Sequence, residues 1–169
     1  MAECRRYRYV GPAEVRDRTA VDVVAVDGSA SLDGWLAGRG GGELAEPVTF
    51  VVDLDGVLRL APRRSEHVVL ADGRRVLAAG EMSFASTGMG WRVVAVTNQW
   101  TGYCPDPDCW PAVASALDRV GVPHPGGFTD RVTFRCCPGC GERNIVRDED
   151  FTCAMCGGAL PAQWNFASE

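Results

Sequence analysis

The chain contains no lysine. Its 17 basic residues are all arginine, set against 22 acidic ones, and it has only two histidines in 169 residues. Without lysine there is no Schiff-base nucleophile, no Walker lysine to hold phosphates and no lysine general base. Arginine-only usage also points to a GC-rich, bacterial genome. A net charge of −5 leaves no overall electrostatic grip for nucleic acid or an anionic membrane. Long apolar runs are missing too: nothing approaches the roughly 18 residues of a membrane span. Met1 to Arg8 has no apolar stretch behind its charges, so no signal peptide is expected and the chain reads as cytoplasmic.

What is present suits one domain of ordinary size, or a small domain plus a mini-domain. At 46% hydrophobic and 23% charged, the chain can bury a core. It carries eight cysteines. In a reducing compartment, clustered cysteines point to metal before disulfides.

The first 47 residues are irregular in pattern. Val21 to Val26 reads as a strand, Ser31 as the cap of a short helix through Leu36 that Gly38 ends, and Gly38 to Gly42 as a flexible loop. From Pro47 the pattern sharpens. Strands are expected at Val48–Asp53, Val57–Leu60, His67–Ala71, Arg74–Phe84 and Trp91–Val96, with turns at Leu54-Asp55-Gly56 and Asp72-Gly73. Asp-Gly between β-branched runs signals a hairpin, since glycine takes the positive φ of a primed turn. Residues 48–98 therefore read as an antiparallel β-meander. Trp110 to Val120 reads as the helix that follows, with Val113, Leu117 and Val120 on one stripe and Gly121 at its end. The expected class is α+β: residues 1–130 as the meander domain, Pro123–Gly127 as a linker, and residues 131–169 as a separate cysteine module.

That module reads Cys137-Pro138-Gly139-Cys140-Gly141, twelve residues on to Cys153-Ala154-Met155-Cys156-Gly157. Each pair forms a knuckle whose backbone N–H groups can turn toward the sulfurs. Together the pairs supply four thiolates in a tetrahedron about 2.3 Å from a Zn2+ ion. This pattern resembles a zinc ribbon, with Ile145, Val146 and Phe151 expected beneath the metal. Thirty-nine residues with few large apolar side chains cannot build a core unaided. Four thiolates also leave no open position for water, so a structural role is expected over a catalytic one. The zinc-deaminase pattern is not met, because His67 precedes Val68-Val69 and His124 precedes Pro125-Gly126. Cys136 is a spare, since adjacent side chains on a strand point oppositely. Cys104 and Cys109, with His124, form a looser second set; a packed turn is the preferred reading there.

Two stretches resemble known families. Phe50 to Leu58, reading Phe-Val-Val-Asp-Leu-Asp-Gly-Val-Leu, resembles the first motif of haloacid dehalogenase-type phosphatases, and Val96-Thr97-Asn98-Gln99 their second. That resemblance implies Asp53 as nucleophile, Asp55 as acid/base and a crossover helix between the motifs. Residues 57–96 read as hairpins instead, so Asp53–Gly56 is taken as a turn. The order His67, Ala79-Gly80-Glu81, Asn98 and Tyr103-x-Pro105, over residues 48–121, resembles the β-meander module of plant IQ-motif calmodulin-binding proteins and of some bacterial effector or toxin C-termini. There is no IQ motif, so calmodulin binding is not implied.

His67, Glu81 and Tyr103 are the candidate catalytic residues if this face is a site: an acid, an imidazole and a phenol near Arg63 and Arg64 can bind a small anionic ligand or run acid/base chemistry. The competing reading is a hydrogen-bonded network that pins the sheet to its helix. The favoured function is a zinc-binding interaction or accessory protein whose partner is another protein; an effector-like transferase or hydrolase is the alternative. Residues 131–169 hold four arginines and five acids, which argues against nucleic acid.

Overall fold

The computed structural model describes residues 4–16, 22–63, 65 and 67–166. In chain order they form α1 (Ala13–Arg16), β1 (Val24–Val26), α2 (Ser29–Ala37), α3 (Gly41–Leu44), β2 (Val48–Val52), β3 (Leu58–Ala61), α4 (His67–Leu70), β4 (Ala78–Ser86), β5 (Trp91–Thr97), α5 (Trp110–Val120), β6 (Thr133–Cys136) and β7 (Arg143–Val146). The class is α+β. Strands β1 to β5 make one sheet in the order β1-β3-β2-β4-β5, every pair antiparallel, and β6-β7 form a separate hairpin.

Strand β2, apolar but for Thr49, lies at the centre of this sheet, and all five of its residues are buried. Strand β3 takes one of its edges and β4 the other. Here the structure departs from a nearest-neighbour meander. The far edge of β3 belongs to β1, so the chain leaving β3 cannot fold back onto it and passes to the opposite side of β2. Residues 62–77 make that passage. The strand expected at His67–Ala71 is instead the single helical turn α4, and β4 begins at Ala78 instead of Arg74. Val68, Val69 and Leu70 favour a strand intrinsically, but sheet propensity gives way where the adjoining edge of β3 is taken. The Asp-Gly chemistry survives: Asp72 and Gly73 have φ of 54° and 71°, and the Arg74 N–H donates to the Ala71 carbonyl at 3.0 Å. The turn redirects a crossover where a hairpin was expected.

Helix α5 matches its expected bounds. Ala112, Val113, Ala116, Leu117 and Val120 are buried, and the helix packs across β2, β3 and β4. Removing a side chain such as Leu117 from water contributes about 1.5–3 kcal/mol. Gly121 closes the helix in the left-handed region at φ 79°. Near the amino end, β1 is shorter than expected, and Val21 lies outside the described residues. Helix α2 starts at Ser29, with Gly28 at its cap position. Ser31 works from inside the first turn, donating to the Gly28 carbonyl at 2.9 Å and accepting the Asp27 N–H at 3.2 Å. The glycine-rich stretch expected as a loop holds α3.

Asp53 closes the β2–β3 hairpin. One carboxylate oxygen accepts the N–H groups of Asp55 and Val57 at 3.0 and 2.9 Å; the other accepts Arg59 Nε at 3.1 Å. Gly56 takes φ 78°. The carboxylate that the phosphatase resemblance would make a nucleophile is engaged on both oxygens in holding a turn. Asp53→Ala is expected to cost about 1–2 kcal/mol in urea unfolding; a change within about 0.5 kcal/mol, the scatter of surface substitutions, would mean that these bonds are not holding the turn.

Candidate metal centre

The phase of the β6–β7 hairpin follows from who takes each backbone group. The Asn165 side chain bonds both the N–H and the C=O of Cys136, at 2.8 and 2.6 Å, so those groups point away from β7. The pair Cys136–Arg143 is therefore a non-hydrogen-bonded one, and Arg135–Asn144 and Cys137–Glu142 carry the ladder; the Cys137 N–H reaches the Glu142 carbonyl at 2.8 Å. Side chains alternate accordingly. Phe134, Cys136 and Ile145 pack into a cluster with Cys104, Val132 and Phe166, against the body of the protein. Cys137, Val146 and Phe151 pack with Cys153 and Leu160 on the other side. Ile145, expected beneath the metal, belongs to the body-facing side; Val146 and Phe151 are where the sequence put them.

Two knuckles with the same backbone plan meet on the second side. In the first, Gly141 N–H donates to the Cys137 carbonyl at 2.8 Å and Gly141 has φ 79°; in the second, Gly157 N–H donates to the Cys153 carbonyl at 2.9 Å with φ 73°. The Cys153 N–H reaches the Gly158 carbonyl at 2.8 Å, just as Cys137 reaches Glu142. Glycine is required at both positions by the positive φ. A Cβ on Gly158 would also stand 3.2 Å from the Cys156 sulfur, which its N–H approaches at 3.4 Å.

The four sulfurs of Cys137, Cys140, Cys153 and Cys156 all lie within 4.8 Å of one another. Across the knuckles, Cys137 and Cys156 are 3.5 Å apart and Cys140 and Cys153 3.6 Å. The edge of a tetrahedron with metal–sulfur bonds of about 2.3 Å is about 3.8 Å, so the donor set fits a metal ion. Among the described residues it is the one set of at least three His, Cys, Asp or Glu side chains close enough to share an ion. The amides of Cys156 and Met155 draw the Cys153 thiol down to about 6, and the Cys140 amide lowers Cys137. Cys140 faces the Glu142 amide, yet burial and the neighbouring sulfurs outweigh it and push its thiol up to about 12. Four thiolates this close repel one another unless a cation sits among them.

Asn144 is a member of this site that the sequence did not announce. Its buried amide donates to the Glu142 carbonyl at 3.0 Å and to the Cys153 sulfur at 3.5 Å, and its oxygen accepts the Ala154 N–H at 3.0 Å. It ties one knuckle to the other beneath the sulfurs, as outer-shell partners orient ligands.

The looser set does not assemble. Cys104 is fully buried, its thiol donating to the Thr101 carbonyl at 3.2 Å and pushed up to about 12 by burial. Cys109 is buried at the start of α5. His124 packs edge-on to Trp110, bonding the Pro125 carbonyl and the Asp118 carboxylate at 2.9 Å each. Of the meander trio, Tyr103 is 1% exposed and its hydroxyl donates to the Arg74 carbonyl at 2.8 Å. His67 opens α4. Arg64 and Glu66 lie outside the described residues.

Glu81 sits mid-strand in β4, half-buried between Thr49 and Thr97. Burial raises its carboxyl above the usual range, against the lowering pull of Arg63. A carboxyl raised on folding is stabilising while protonated, and that contribution is lost as pH rises through its folded value. Glu81→Gln is therefore expected to raise the melting temperature at neutral pH, with the gap closing on acidification. Loss of stability at neutral pH would mean that Arg63 satisfies the carboxylate fully.

No protein family, curated protein or solved structure matches this chain. The resemblances of residues 48–121 and of the Asp53 motif thus gain no support from relatives, and the functional argument rests on the geometry.

Proposed function

We propose that the chain is a zinc-binding protein of the cytoplasm in which a structural Cys4 ribbon presents or steadies a surface for another protein. The observation that carries the proposal is the convergence of Cys137, Cys140, Cys153 and Cys156 from two knuckles of one plan. Four thiolates in a closed tetrahedron are zinc chemistry: d10 zinc tolerates the geometry and brings no redox demand. A closed site leaves no position for substrate, so the ion holds structure. Tyr103, whose hydroxyl donates to the Arg74 backbone carbonyl, fits the pinning network better than a catalytic trio.

The test is comparative affinity capture from native cells with the zinc-loaded wild type and Cys153→Ser. The proposal expects a defined protein retained by the wild type and lost with the variant. Equal capture by both, or by neither, would contradict a role for the ribbon in partner binding.

A further inference from the structure

Beyond the second knuckle the chain does not trail away. The guanidinium of Arg135, buried on β6 two residues before the first ligand, donates from Nε to the Pro161 carbonyl at 3.0 Å and from another nitrogen to the Ala162 carbonyl at 2.6 Å. Asn165 bonds the backbone of Cys136 on both sides. Residues 161–165 are thereby strapped along β6. The start of the strap is set by the second knuckle, where the Leu160 N–H donates to the Phe151 carbonyl at 2.8 Å and Thr152 bridges Ala159.

The strap ends in the body. Trp164 donates its indole N–H to the Cys104 carbonyl at 2.7 Å, meets the Tyr7 ring edge-on at 5.6 Å and lies under the Arg5 guanidinium at 4.6 Å. Phe166 is buried beside it. Arg5 and Tyr7 of this socket belong to the amino-terminal segment, itself laid against the end of the crossover by the Tyr7–Val76 bridge and anchored by Arg5 to Asp106 at 3.3 Å.

We propose that residues 161–166 are a metal-gated latch: loading of the Cys4 site fixes the second knuckle and Arg135, and these seat Trp164 in the Arg5–Tyr7–Cys104 socket. The proposal rests on the metal reading above and adds a consequence to it. The metal-side cluster has few apolar members, Leu160, Val146 and Phe151 beside the cysteines, so without the ion little holds the second knuckle in place. Once the knuckle is released, the Pro161 and Ala162 carbonyls are no longer held before Arg135, which keeps only the Phe134 carbonyl, and Trp164, Asn165 and Phe166 must order the strap without it. Metal loss is then reported at Tyr7 and Arg5, on the far side of the ribbon from the sulfurs.

The experiment uses the full chain with metal content measured on the same samples. The Trp164 signal is isolated as the difference between wild-type and Trp164→Phe emission, since four other tryptophans contribute. On stripping the metal, this difference should shift red, become open to acrylamide quenching, and be accompanied by a loss of exchange protection of the Trp164 indole N–H, which bonds the Cys104 carbonyl, on the order of a hundredfold. Protection in β2 and β4 should hold. Arg135→Met should keep one metal per chain and show the same red shift. Metal verifiably removed with Trp164 still shielded, or Arg135→Met with metal bound and Trp164 still shielded, would overturn the latch. A chain that binds no metal at all would instead overturn the reading of the site, and metal content separates the two.

Discussion

Cys137→Ser and Cys153→Ser are each expected to unfold residues 133–160 and leave the five-stranded sheet standing. Each replaces one of four mutually adjacent sulfurs, and serine is a poor ligand for a soft thiolate site. Metal binding in units of this kind contributes on the order of 10 kcal/mol to folding. Nothing else in the ribbon replaces that. Its hairpin is two four-residue strands, and such a ribbon is marginal in water without further support. The body keeps its own core of β2, β4 and α5 around Phe50, Met82 and Leu117. Hydrogen exchange followed by mass spectrometry separates the regions. Protection should vanish over 133–160 and persist over 48–97. A ribbon equally protected in the variants would mean that packing, without metal, holds it.

The second large effect is expected at Asn98, between β5 and the ribbon. Fully buried, it donates to the carbonyls of Pro105 and Val132 at 2.9 and 2.8 Å and accepts the Val132 N–H at 2.8 Å. One amide thus aligns three segments: the end of the sheet, the loop before α5 and the lead into β6. Asn98→Ala removes all three bonds and leaves backbone groups buried without partners, each costing about 1–3 kcal/mol, so a total of about 3–5 kcal/mol is expected. Asn98→Asp should be no better, because a carboxylate has no N–H to offer two carbonyls and would be buried charged. Urea unfolding at neutral pH measures both. A loss under 1 kcal/mol for Asn98→Ala would show that water or a backbone shift replaces the amide.

What the sequence made legible follows from how local the signals are. The knuckles were readable because ligand spacing, glycine position and turn geometry all lie within five residues. Helix α5 was readable from its 3.6-residue stripe and its glycine stop. The hairpin at Asp53 was readable from its Asp-Gly turn. Strand order was not, because it depends on whether β1, more than thirty residues upstream of β3, claims the edge of β3; once it does, His67–Leu70 becomes part of a crossover. Asn144 was hidden for a related reason. Its place beneath the sulfurs depends on the register of β7 against β6, which only the observed pairing reveals. Alternation alone separates Cys136 from the ligands, whereas the face of Ile145 follows only from that register. Asn98 and Trp164 work across contacts of 34 and 60 residues, which no local pattern encodes.

The most direct test is X-ray absorption at the zinc edge combined with elemental analysis of the protein purified without added metal. One zinc per chain, bound by four sulfurs at about 2.3 Å and no lighter ligand, is the predicted result. No stoichiometric metal, or a first shell containing oxygen or nitrogen in place of one of the four sulfurs, would contradict it.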